Sequence, residues 1–223
     1  MTMTDHPVAQ KVEAFHEELA TKAPEETLSV LRDERVSLDK AGVPKTVPNP
    51  GSPMPDGQLL DVHGASTTLT DARGGRPAVI ITYRGEWCPY CNISLAAYQQ
   101  HLVPRLRELG VELIALSPQK PDGSLTMQQK HDLTFTVLSD PRNQIARPLG
   151  IVNPPRSDEA RAATAAFGID VAATNGDGTD DLPMPTAIIV DAKGIIRWID
   201  VHPEYAFPTE PQAILDALGQ VLT

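Results

Sequence analysis

The chain has 223 residues, 41% of them hydrophobic, and a formal net charge of −10, with no cluster of Lys and Arg. That balance describes a soluble globular protein and argues against a nucleic-acid surface. No apolar run approaches the length of a bilayer span, and Met1 to Pro7 has neither the basic nor the apolar region of a secretory leader, so a cytoplasmic location with reduced thiols is expected.

Val8, Val12, Phe15 and Leu19 recur at near-helical spacing and predict an amphipathic helix over Val8 to Ala23. Pro24-Glu25-Glu26 opens a second helix that runs to Gly42. From Val43 to Pro55 the prolines remove backbone donors, so a linker is expected there. Residues 1–55 therefore form a helical N-terminal extension and Pro-rich linker, ahead of a main domain over 56–223. Leu59 to Val62 and Thr67 to Leu69 flank His63-Gly64 and predict a short hairpin.

Ala78 to Tyr83 is almost wholly apolar, the pattern of a strand buried on both faces. Directly after it stands Trp87-Cys88-Pro89-Tyr90-Cys91, which holds both cysteines of the chain. Residues three apart share one helix face, so a helix running from Cys88 to about Gln100 lets the two sulfurs pair. A sulfur at a helix N-terminus meets free N–H groups and the positive end of the macrodipole, which favour the thiolate. A C-x-x-C after a strand is a redox signature. Tetrahedral zinc needs four ligands, and there is neither a second C-x-x-C nor an H-x3–5-H spacing among the six histidines.

Further along, helix is expected over Pro104 to Gly110 and Leu125 to His131, and strand over Val111 to Ser117 and Phe135 to Ser139. Gln144 to Arg147 has room for one helical turn. Alternating strand and helix implies parallel strands. An insertion at about 151–184 breaks the rhythm. It carries a helix from Asp158 to Phe167 and a polar run, Thr174 to Asp181, that reads as a surface loop, since it lacks the terminal Glu of a calcium loop. Ala187 to Val190 and Ile195 to Ile199 form a hairpin about Asp191-Ala192-Lys193-Gly194. Thr209 is placed to cap a last helix that buries Ile214, Leu215, Leu218 and Leu222.

This order, with C-x-x-C opening the first core helix, resembles the thioredoxin-like fold: α/β, a central mixed sheet flanked by helices, here with a helical N-terminal extension. Glu86 to Cys91 is similar to the thioredoxin active-site sequence, with the Pro-Tyr insert familiar from glutaredoxins. Met184-Pro185-Thr186 resembles the cis-proline loop that faces it. From about Gly57 to Thr223 the chain is similar to the peroxiredoxin-like branch of the alkyl hydroperoxide reductase/thiol-specific antioxidant (AhpC/TSA) family. The motifs are Tyr83 to Cys91, Leu138-Ser139-Asp140-Pro141 and Leu182-Pro183-Met184-Pro185-Thr186.

The resemblance implies a thiol-dependent antioxidant peroxidase without cofactor or metal. Cys88 attacks hydrogen peroxide or an alkyl hydroperoxide, and Cys91, one turn in and less exposed, resolves the sulfenic acid to a disulfide. An external dithiol such as thioredoxin, or a low-molecular-weight thiol, is the expected reductant, and a homodimer is compatible. Arg84 stabilises the thiolate or polarises the peroxide, unless it is a solvated surface side chain. Trp87 shields the site, and Pro185 and Thr186 face it. The chain also departs from peroxiredoxins: Gly85 stands where they carry Thr or Ser, and their Arg at the start of the later strand has no counterpart around Met184-Pro185-Thr186. Both departures move the expectation toward thioredoxin-like disulfide exchange. A non-catalytic redox sensor or binding module is the remaining alternative.

Overall fold

The computed structural model describes residues 6–221; Met1 to Asp5 and Leu222, expected in the last apolar stripe, lie outside the described residues. Two helices come first, α1 (Pro7–Lys22) and α2 (Glu25–Ala41), followed by the hairpin β1 (Gln58–Leu60) and β2 (Ser66–Thr68) and the short α3 (Leu69–Arg73). The core then alternates β3 (Ala78–Thr82), α4 (Pro89–Ala97), α5 (Val103–Leu109), β4 (Glu112–Ser117), α6 (Pro121–Lys130) and β5 (Thr136–Ser139). After α7 (Asp158–Ala165) and the single turn α8 (Val171–Thr174), β6 (Thr186–Val190), β7 (Ile196–Val201) and α9 (Pro211–Val221) close the chain.

The strands form one mixed sheet in the order β2-β1-β5-β4-β3-β6-β7. β3, β4 and β5 are parallel, as the alternating pattern predicts, while β1 and β6 join this centre antiparallel. All five residues of β3 are buried because helices or loops cover both sheet faces. Val79 and Ile81 pack under α4, α5 and α9, with Leu95, Leu106, Ile214 and Leu218. Ala78 and Ile80 face the other layer, built from Leu69, Leu138, Ile145, Leu149 and Ile188. Two-sided burial is why the strand has no polar alternation.

The Pro-rich stretch is irregular in conformation but firmly placed. It lies along the free edge of β7, where Gly51 N–H donates to Ile196 C=O at 2.7 Å, Ile196 N–H to Ser52 C=O at 2.9 Å and Met54 N–H to Gly194 C=O at 2.8 Å. Prolines suit this position because an edge leaves one side of the strand without ladder bonds.

Several expectations need correction. The active-site helix does not stop near Gln100. It widens into a π-helical turn, Tyr98–Leu102, and continues as α5. Pro104 lacks an N–H and its ring would crowd the turn before it, which the wider turn relieves. The turn expected at Gln144 to Arg147 is present, closed by Arg147 N–H donating to Asn143 C=O at 2.8 Å, and a short irregular turn at Pro141–Asn143 precedes it. There the Asp140 carboxylate accepts from Gln144 N–H at 2.6 Å and Ile145 N–H at 3.0 Å, so Ser-Asp-Pro works here as a chain-turning cap. Thr209 donates its hydroxyl to Asp200 at 2.9 Å. The neighbouring Glu210 caps a different helix, accepting from Val8 N–H at 3.1 Å and Ala9 N–H at 2.8 Å at the start of α1. Those N–H groups have no partner within their own helix. The contact ties the N-terminal extension to the root of α9, and Val8 and Val12 are buried with Ala97 of α4 and Ala206.

Candidate active site

Cys88 is the N-cap residue of α4 and Pro89 its first helical residue, the position where a missing N–H costs nothing. The loop before the helix is fastened from two sides. Asn92 Nδ2 donates to Glu86 C=O and Cys88 C=O, both at 2.7 Å. The buried Gln119, after β4, accepts from Glu86 N–H at 2.7 Å and donates to the Tyr83 hydroxyl at 2.9 Å. Cys88 is therefore held at the end of a short, braced segment between β3 and α4, and Cys91 lies in the first turn of the helix.

Both thiols are free and buried. Cys91 does not prove the less exposed of the pair, for Cys88 is 0% and Cys91 3% exposed. The reason is tertiary: α1, α2 and α7 roof over Cys88. A cavity of about 310 Å³ remains above it, with Phe15, Leu19, Leu31, Phe167 and Ile169 among its apolar walls. Thus both the extension and the insertion reach the cysteines, although neither carries a recognisable motif.

The electrostatics separate the two sulfurs. Burial alone would push the Cys88 thiol up. It is outweighed by a hydrogen bond from Cys91, the charge of Arg84 and the N–H groups of Cys91 and Tyr90, which together bring Cys88 down to about 6. Cys91 is pushed well above the free thiol, by burial first and then by its hydrogen bond to Cys88 and the Cys88 charge. One sulfur is a thiolate at neutral pH while its partner keeps the proton.

Arg84 is not a solvated surface residue: it is 4% exposed. Its backbone N–H points at Cys91 Sγ, 3.4 Å away. Its guanidinium carbon lies 3.7 Å from the centre of the Tyr205 ring and 5.0 Å from that of Trp87. Trp87 lines the apolar cavity. Its indole also occupies the space beside Gly85: a Cβ there would lie 2.4 Å from Trp87 Nε1 and 2.8 Å from Cδ1. Glycine is thus required by the tryptophan. Gly85→Thr is expected to displace the indole and lower the melting temperature by several degrees without raising the peroxide rate, as thermal denaturation and steady-state turnover would report.

Pro185 and Thr186 lie on the opposite side, around a narrow cleft shared with Cys91. The cis bond expected before Pro185 is absent; among the described residues every peptide is trans. Trans is the favoured isomer of an X-Pro bond, and here the Met184 carbonyl has firm partners, accepting the Thr82 hydroxyl at 2.7 Å and the Thr186 hydroxyl at 2.9 Å. Thr186 is therefore spent on the backbone and does not present its hydroxyl to Cys88.

Tyr90, the second residue between the cysteines, anchors the extension. Its hydroxyl is 3.0 Å from His16 Nε2 and accepts from Arg35 at 3.0 Å, while Phe15 meets its ring edge-on at 5.7 Å. Sequence reading missed His16, Glu34, Arg35, Arg156 and Tyr205, which lie far from the motif along the chain and have no local pattern to mark them.

A mixed sheet flanked by helices, with a low-pKa cysteine at the N-terminus of its first core helix and a second cysteine in that helix's first turn, is the thioredoxin-like fold. The particular family follows from the comparisons. Residues 50–199 match the model of the AhpC/TSA family, and the chain belongs to that family. It is similar to the thiol-disulfide oxidoreductase ResA of Bacillus thuringiensis, with 30% identity over 108 residues, 48% of this chain and 61% of that protein. It is also similar to chloroplastic peroxiredoxin Q of Gentiana triflora, with 30% identity over 101 residues, 45% of this chain and 46% of that one. The chain thus spans between about half and three-fifths of the length of these curated relatives. Among solved structures, peroxidoxin BcpB of Mycobacterium tuberculosis superposes with a TM-score of 0.58 at 15% identity, covering 78% of this chain and 96% of that one, a likeness of fold.

Proposed function

We propose that the protein is a thiol-dependent peroxidase that reduces hydrogen peroxide or alkyl hydroperoxides. The observation that carries this reading is a Cys88 thiolate with a pKa of about 6, beside a buried guanidinium and beneath an apolar cavity. A small hydroperoxide fits such a space. The thiolate attacks the distal peroxide oxygen, the O–O bond breaks, and the departing alkoxide or hydroxide takes a proton from solvent. Cys88 is left as a sulfenic acid. Its oxidation removes the negative charge and the hydrogen-bond acceptor that helped keep Cys91 protonated. Cys91 sulfur then bonds to Cys88 sulfur and the sulfenic hydroxyl leaves as water with the Cys91 proton. An external dithiol, or two low-molecular-weight thiols, supplies two electrons and two protons to restore the pair. A reducing compartment such as the cytoplasm suits this cycle.

The lowered pKa gives a pH test. The thiolate is present above about pH 6 and is lost as the pH falls through that value. The rate of single-turnover oxidation by hydrogen peroxide is expected to fall about tenfold for each pH unit below 6, following thiolate fraction. Consumption of peroxide coupled to a thioredoxin system is the decisive assay; absence of turnover with every peroxide offered would sink the peroxidase reading.

Disulfide exchange is the second reading. Gly85 favours it, because the Trp87 indole leaves no space for a peroxide-activating hydroxyl there. Reduction of a small disulfide at a rate well above that of any hydroperoxide would select it. We also assign Arg84 and Trp87 to the site, and residues 56–223 to the main domain with 1–55 as its extension.

A further inference from the structure

We propose that Tyr205 and Glu34, both outside the family-matched residues 50–199, are positioning residues that set the reactivity of Cys88 through Arg84. The inference deepens the assignment of Cys88 as the attacking sulfur and rests on it.

Arg84 is a buried charge without the usual restraints. Its Nε meets no hydrogen-bond acceptor among the described residues. What holds the guanidinium over the cysteines is aromatic contact, closest with Tyr205 at 3.7 Å. A cation is held firmly over a ring in a desolvated place where the ring itself is fixed. Tyr205 is fixed at its far end. Its hydroxyl donates to Glu34 Oε2 at 2.9 Å. Glu34, on α2, is in turn gripped by both arms of Arg156, Nε to Oε1 at 2.7 Å and Nη2 to Oε2 at 3.1 Å. Arg156 Nη2 also donates to Ala160 C=O at 3.1 Å and Thr164 Oγ1 at 2.8 Å on α7.

The chain of contact therefore runs from the insertion through the extension to Tyr205, then to Arg84 and the thiolate. A hydrogen bond to a carboxylate also makes the Tyr205 ring more electron-rich, which strengthens its hold on the cation. The extension is then part of the active centre, because it supplies Glu34, which anchors the closer of the two rings that hold Arg84.

The sign of the effect separates positioning from simple proximity. Glu34 is negative, so if it acted on Cys88 only as a nearby charge, its removal would lower the Cys88 pKa. If it acts by fixing Tyr205, removal frees Arg84 and raises that pKa. The readout is the apparent pKa of Cys88, from the pH dependence of iodoacetamide alkylation with the labelled residue identified by mass spectrometry. Glu34→Ala and Tyr205→Leu are each expected to raise it by about one unit, leaving about fivefold less thiolate at pH 6. Tyr205→Phe keeps the ring and loses the anchor, so a smaller rise is expected; it also serves if the leucine variant does not fold. In an Arg84→Met background the Tyr205 substitutions should have no further effect, the signature of one residue acting through another.

An unchanged or lowered pKa in Glu34→Ala and in whichever Tyr205 variant folds would overturn the inference, as would the same shift in the Arg84→Met background. Label appearing first on Cys91 of the wild-type protein would instead overturn the assignment of the attacking sulfur, and with it this inference. Loss of peroxide turnover as a function would leave the pKa result intact.

Discussion

Cys88→Ser is expected to abolish turnover with every peroxide, while Cys91→Ser undergoes one oxidation and then stalls. The two outcomes follow from the opposite environments of two sulfurs three residues apart. Cys88 is the N-cap residue of α4, where the Cys91 thiol, the charge of Arg84 and the N–H groups of Cys91 and Tyr90 outweigh burial and favour its thiolate. A serine hydroxyl in the same place stays protonated across the working range, so no nucleophile remains. Cys91 is pushed up by burial and by its partner's charge, and stays a thiol until Cys88 has reacted. Without it the sulfenic acid has no internal thiol to condense with. Rapid mixing with one equivalent of hydrogen peroxide, followed by a sulfenic-acid-specific label and mass spectrometry, would detect a single stable adduct on Cys88 in Cys91→Ser. Continued steady-state turnover of that variant would mean that resolution comes from elsewhere.

The second large effect belongs to Arg84. Arg84→Met is expected to raise the Cys88 pKa by at least about one unit and to slow peroxide oxidation at pH 6 about fivefold or more. Burial is the largest influence on Cys88 and acts against the thiolate; Arg84 is one of the few charges set against it. The methionine fills much of the space between the Tyr205 and Trp87 rings, so the loss reports charge more than packing. Arg84→Lys should restore only part of the effect, since an ammonium does not lie flat on a ring as a guanidinium does. Thiolate absorbance near 240 nm, followed against pH, measures the shift directly. An unshifted titration would remove Arg84 from the site.

Much of this architecture was legible in local pattern. The unbroken apolar run Ala78 to Thr82 marked a strand covered on both faces, and Asp191 to Gly194 marked a hairpin, where Asp191 Oδ1 indeed accepts from Lys193 N–H and Ile195 N–H at 2.9 and 3.0 Å. Both are decided by neighbours in sequence: periodicity for the strand, turn chemistry for the hairpin. The closeness of Cys88 and Cys91, both free thiols, is equally local, because a three-residue spacing at a helix start places them on a shared face. The cis bond expected at Pro185 rests on resemblance alone, and the bond is trans.

What the linear chain determined, then, is the sheet centre, the helix that carries both sulfurs, and the chemistry those sulfurs have at a helix N-terminus. What only the tertiary structure decided is which side chains surround them. Glu34 and Tyr205 are 171 residues apart, and Arg156 is 122 from Glu34. No periodicity or motif encodes such distances. Their contacts arise because α1 packs on α4 and α2 on α7, burying Arg84 and walling the cavity above Cys88. Desolvation and charge in that buried space set the Cys88 pKa, and both are properties of the packed molecule.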